Sequence, residues 1–203
     1  MMWFRGLVMQ SLVKFFVRKQ LIIVVFIAFF MLLTRGSHTL TPFELPDASL
    51  ALFLLGGLLL GQTNAQRAAW FAVFFILATV IDFGAAAFEP TQGFCLTNGY
   101  WGLIPSYGVM WLGGLLLSRQ ADAFDALKYA TVSMVATFIA FVVSTQTYYL
   151  FSGRFPANGI IESMQHGWEY LPSWMGFSAM YFVFIWAAVM LSRNLKLLAS
   201  AKV

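Results

Sequence analysis

Apolar residues along this chain collect into six long runs separated by short polar stretches, at about residues 20–34, 47–62, 68–88, 100–117, 127–151 and 173–192. The runs are continuously apolar and do not alternate, so they read as helices and not as strands of a membrane barrel. A helix needs roughly 20 residues to cross a bilayer, with a range of about 17–25. The third to sixth runs meet that length, the first does so if extended to Val17, and the second is the shortest. The pattern predicts an all-α integral membrane protein, a single six-helix transmembrane domain over residues 1–203.

Polar punctuation orients these helices. Arg5, Lys14, Arg18 and Lys19 precede the first run, as in a secretory signal. The run leads into Leu33-Thr34-Arg35-Gly36-Ser37-His38, which has no small-x-small cleavage site, so a retained helix is expected. With both termini in the cytoplasm, ten of the 12 lysines and arginines lie inside, and only Arg35 and Arg154 lie outside. That asymmetry obeys the positive-inside rule. The expected inner connections, 62–67 and 118–126, are short, while the outer ones, 34–47, 88–99 and 152–172, are longer and hold all 6 prolines in or beside them. Long, proline-stiffened loops on one side place the working face outside.

Composition narrows the class. The chain is 61% hydrophobic and only 10% charged, against about 25% charged in a soluble domain. A soluble enzyme, a nucleic-acid binder and a disordered chain are excluded. The net charge of +4 belongs to the ends of apolar runs and signals no nucleic acid as a partner. The 1 cysteine, Cys95, rules out an internal disulfide, a CxxC redox pair and a multi-cysteine metal cluster. There is no P-loop, GxSxG elbow or HExxH motif. Transport would therefore need an energising partner or would be passive.

Cys95 sits in a turn-rich outer loop, Gly93-Phe94-Cys95-Leu96-Thr97-Asn98-Gly99. A cysteine is by default a small buried hydrophobe. As a soft ligand, one thiolate cannot build a metal site alone, but it can supply one axial ligand to a transition metal already caged in a macrocycle. Asp82 lies inside the third run, roughly 9 Å below its outer end. An acid at that depth faces the bundle interior or a wet cavity. It is either a helix-to-helix hydrogen-bonding group or the floor of a pocket under Cys95. Tyr100, Trp101, Tyr107 and Trp111 form either an interfacial belt or the wall of a pocket for a large flat ligand. His38 and His166 are surface residues by default, and bis-histidine haem is not expected from loops. Gly57-x-x-x-Gly61 permits close helix packing.

Thr34-Arg35-Gly36-Ser37-His38, LPDASLALFLLGGLLLG from Leu45, Asp82, and FCLTNGYWGLIPSYGVMWLGG from Phe94 carry a resemblance. Over about residues 34–117 the chain resembles the solitary cobalamin (vitamin B12)-specific substrate-binding (S) components of energy-coupling factor (ECF) transporters, the BtuM family of Gram-negative bacteria. The resemblance implies an S-component-like bundle in the bacterial inner membrane. It implies that Cys95 ligates the cobalt of a corrinoid, accompanied by Asp82, Tyr100 and His38. No intrinsic cofactor is implied, because cobalamin or cobinamide is the bound cargo. An ECF energising module is an implied partner, but many S components dock it through small residues four apart in the first helix, and here that helix offers only Ala28.

A thiolate at Cys95 would displace the lower base of cobalamin. Its electron donation would weaken the opposite axial bond, which opens a route to reductive cyanide loss from cyanocobalamin as chemistry incidental to capture. Two other classes stay open. One is a carrier for a different vitamin with Cys95 structural. The other is a membrane thiol enzyme acting at the outer face, with His38 or His166 as its base.

Overall fold

The computed structural model describes residues 20–35, 45–155 and 159–200, apart from the side chains of Gln92 and residues 196–200. Among the described residues the chain is helical with no strand. Helix α1 is Gln20–Arg35. It is followed by α2 (Ser49–Leu59), α3 (Asn64–Phe88), α4 (Leu103–Ser118), α5 (Ala126–Phe151), the short α6 (Ile160–Ser163) and α7 (Leu171–Ser200). Short 3-10 segments occupy Pro90–Cys95, Asn98–Gly102 and Trp168–Tyr170. Four stretches are long and apolar enough to cross a membrane: Asn64–Phe88, Asn98–Ser118, Ala126–Phe151 and Ile160–Leu195.

Local chemistry sets the boundaries. Helix α3 begins four residues before the expected run, because Thr63 and Gln66 cap each other reciprocally. It ends ahead of Glu89-Pro90, where proline disfavours a helical residue before it. Asp125 caps α5 by accepting from the Lys128 N–H at 3.1 Å. Pro105 and Pro172 sit in the first turns of α4 and α7, where no intrahelical N–H donor is needed.

The second run departs from expectation. Instead of a span over 47–62 it forms an 11-residue helix, about 16 Å long and half the hydrocarbon thickness of a bilayer. Leu60 is extended and Gly61 turns the chain at φ +80°, a left-handed conformation that suits glycine. Every residue from Ser49 to Leu58 is buried. A helix that is apolar all round suits either a protein core or lipid, and here it is the core, because α2 packs on α3, α4 and α7. Helix α1 is also shorter than a span within the described residues.

Glycines let α2 and α4 touch backbone to backbone. A Cβ on Gly57 would run into the Trp111 carbonyl, and one on Gly114 into the Leu54 carbonyl. The expected partner of Gly57 was Gly61. Gly61 instead lies in the turn beyond α2, and the close approach pairs Gly57 with Gly114 on the neighbouring helix. Around this contact Phe53 stacks on Tyr107 with ring centroids 4.3 Å apart, and Phe53 and Phe71 meet the edge of Trp111.

Candidate functional site

Arg35, the last residue of α1, organises one end of the bundle. Its guanidinium donates to Asp82 on α3 through Nε and Nη2, both at 2.6 Å. Through Nη1 it reaches Asp47 at 3.2 Å, Ser49 Oγ at 2.9 Å and the Tyr107 hydroxyl on α4. The fork of five N–H donors suits this task, since two parallel bonds lock one carboxylate while the remaining donors serve other partners. Tyr100 donates to Asp82 Oδ2 at 2.9 Å. Asp47 Oδ1 accepts from both the backbone N–H and the hydroxyl of Ser49, which fixes the start of α2. The Arg35 side chain is 8% exposed and that of Asp82 20%, whereas Asp47 at 50% faces water. One cation thus ties together α1, α3, α4 and the segment leading into α2.

Arg35 was expected only as a loop charge. The signal for it was present, because an acid buried in a span requires a cationic or hydrogen-bonding partner, and Arg35 and Arg154 are the cations expected at that end. The structure places Asp82 in the helix-to-helix role that its burial allowed.

Cys95 ends the 3-10 turn that follows α3 at this same end of the bundle, and it is exposed. Partial withdrawal from water against the bundle end pushes its thiol above the usual cysteine range. The Asp82 charge adds to that shift, while Arg154 and Arg35 oppose it. Beside it, Arg154 donates to the Phe94 carbonyl at 3.0 Å and lies over the Phe94 ring at 3.8 Å. Phe94 and Trp101 stay exposed, and Tyr148 on α5 packs 6.2 Å from Phe94.

The aromatic group splits. Tyr100 turns inward to Asp82, and Tyr107 and Trp111 belong to the core on Phe53, so neither of the last two is a belt residue. Trp101 alone projects outward, 62% exposed. His166 stacks on Tyr149 at 5.4 Å, and among the described residues the charges that act on the Cys95 thiol are those of Asp82, Arg154 and Arg35. His38 lies outside the described residues.

The described residues hold no group of three or more His, Cys, Asp or Glu placed to bind a metal ion. Among the described residues Cys95 therefore stands as a single candidate ligand, which suits a metal that brings its other ligands with it. Comparison of the sequence with family models and with curated proteins found no match to either.

Proposed function

We propose that this chain is a membrane carrier component that captures cobalamin or cobinamide at its outer face, with Cys95 as axial cobalt ligand, and passes it toward the cytoplasm. The observation that carries the reading is an exposed thiol at the end of the bundle, directly after the exposed Phe94 in the chain and six residues before the exposed Trp101. Aromatic faces suit a flat macrocycle, and soft sulfur suits its metal. Asp82 and Tyr100 support the site from below as positioning residues, and the bilayer is its second partner. An ECF energising module remains the proposed source of energy, docked through a surface other than a small-residue pair on α1.

The raised thiol gives the enzyme alternative no support, and of its two candidate bases His38 lies outside the described residues. A nucleophilic cysteine needs a depressed pKa or an adjacent base, and Cys95 has neither among its described neighbours. A cobalt(III) centre, by contrast, drives off the thiol proton as it binds.

We place both termini in the cytoplasm of the bacterial inner membrane, with six crossings. Four cations, Arg67, Arg119, Lys128 and Arg193, lie toward the end away from Cys95, as the positive-inside rule asks. Helix α2 alone reaches about half-way across a bilayer, so the second crossing in this reading needs the chain on either side of it as well.

The test is spectroscopic. Protein from cells grown with cobalamin should carry a corrinoid with sulfur-to-cobalt charge-transfer absorption. Cys95→Ala should remove that absorption and return any bound cobalamin to its base-on spectrum, and Cys95→Ser should do nearly the same. A cobalamin-dependent host that grows equally well on low cobalamin with wild type and Cys95→Ala would reject the ligand role. Colourless wild-type protein would favour a carrier for another vitamin.

A further inference from the structure

The connection from α5 to α7 comes back along the side of α5 instead of standing clear of its end. Lys128 is the last charged residue of α5, and about 30 Å of hydrocarbon measured from it, roughly 20 residues of helix, ends near Tyr148. Gly167 is pressed against Thr145 and Tyr149, at that level. The Trp168 ring reaches deeper. It packs on Phe141 and Phe138 with centroids 6.0 and 6.4 Å apart, and Phe141 lies about 10 Å along α5 inside the level of Tyr148. Met164 is held beside this ring, since its carbonyl accepts from Trp168 Nε1 at 2.7 Å.

Three apolar side chains of the same segment are left uncovered. Ile160 is 69% exposed, Ile161 79% and Met164 55%, whereas Ser163 among them is buried. On a helical turn, positions 160, 161 and 164 share one side. The backbone here serves itself, as a segment at membrane depth requires. The amides of Ser163, Met164, Gln165 and His166 all donate to carbonyls within the segment, at 2.9–3.2 Å. Glu162 and Glu169 are its acids, and it has no lysine or arginine. Attraction to anionic headgroups therefore cannot hold it at a membrane, and only its apolar side chains can.

We infer that Ile160–Tyr170 is a re-entrant anchor that lays Ile160, Ile161 and Met164 into the acyl chains of the leaflet at the Cys95 end, leaving Glu162 and Glu169 to the headgroups. The depth of Trp168 on α5 identifies the occupant as lipid, because water ends above that level. A water-facing lid and a patch covered by protein are the competing outcomes. The placement depends on the membrane-spanning helices alone and not on the cargo.

Fluorescence in phosphatidylcholine vesicles measures the depth. In a Cys95→Ala background, Ile161→Cys is labelled with a nitrobenzoxadiazole probe, and Gln120→Cys, exposed in the loop after α4, is the water-facing reference. The probe at position 161 should emit to the blue of the reference. Phosphatidylcholine carrying a doxyl group near the headgroup end of its acyl chain should quench it at least about threefold more strongly than the reference. Iodide on both sides of the membrane should quench it less. Adding phosphatidylglycerol should leave both results unchanged. Ile160→Cys repeats the measurement at a second exposed position, should the first variant not fold. Iodide quenching equal to that of the reference would make the segment a water-facing lid. Blue emission without doxyl quenching would show it covered by protein, and doxyl quenching that needs phosphatidylglycerol would show it held by charge. Each of these three results would overturn the assignment.

Discussion

Arg35→Met is the most informative single change outside the cargo site. It keeps the side-chain stem but removes every bond that the guanidinium makes to Asp82, Asp47, Ser49 and Tyr107. Breaking one side of a buried ion pair costs about 3–5 kcal/mol, mostly because the other charge is left behind. Asp82 is 20% exposed and keeps the Tyr100 hydroxyl at 2.9 Å, so the lower end, about 3 kcal/mol, is expected. In a chain of this size each kcal/mol shifts Tm by about 2–4 °C, which gives a fall of about 6–12 °C. Asp47→Asn should cost under about 1 kcal/mol, because that contact is at 3.2 Å and half exposed. Removing both charges in Arg35→Met/Asp82→Leu should recover part of the loss, since no buried charge is then stranded. Thermal unfolding in detergent, followed by intrinsic fluorescence across the double-mutant cycle, measures this directly. A shift below about 2 °C for Arg35→Met, or a double mutant equal to the sum of its singles, would refute the clamp. Corrinoid affinity measured on Asp82→Asn then separates its roles: lower stability with unchanged affinity makes the aspartate purely structural.

Gly114→Ala puts a methyl into the Leu54 carbonyl of a neighbouring helix, so it should destabilise by about 3 kcal/mol or more. Gly108→Ala, whose added Cβ meets nothing within 4 Å, should stabilise by about 0.5–1 kcal/mol; equal Tm values for the two would contradict the close α2–α4 approach. Because the Cys95 thiol is raised by partial desolvation and by Asp82, its thiolate fraction at any given pH is lower than that of a free cysteine. Its iodoacetamide rate should therefore reach half-maximum at a pH above that of free glutathione, and a midpoint at or below glutathione would show the thiol to be activated. An impermeant maleimide should label Cys95 in intact cells, and labelling only after membrane inversion would reverse the proposed topology.

Some of this protein was legible in the residue order alone. Continuous apolar runs with few charges dictate helices in a lipid-compatible chain, because only a helix satisfies its own backbone there. Caps such as Thr63 with Gln66, and breaks such as Pro90 and Gly61, are local, so most helix ends fell within a few residues of expectation. Asp82 was picked out because a polar group inside an apolar run must be satisfied, whereas Tyr100 stood out only as one of four aromatic residues and through the resemblance. Which residues satisfy such a group was decided only in three dimensions. The Arg35 and Asp82 bond joins positions 47 apart, and nothing local specifies that pairing. The same holds for α2. In a soluble protein, water marks one face of a helix as polar, but in a membrane both the protein core and the lipid are apolar. An apolar stretch therefore reads the same whether it faces lipid or neighbours, and only packing made α2 a buried half-length helix, turned Tyr107 and Trp111 inward, and left Trp101 facing out.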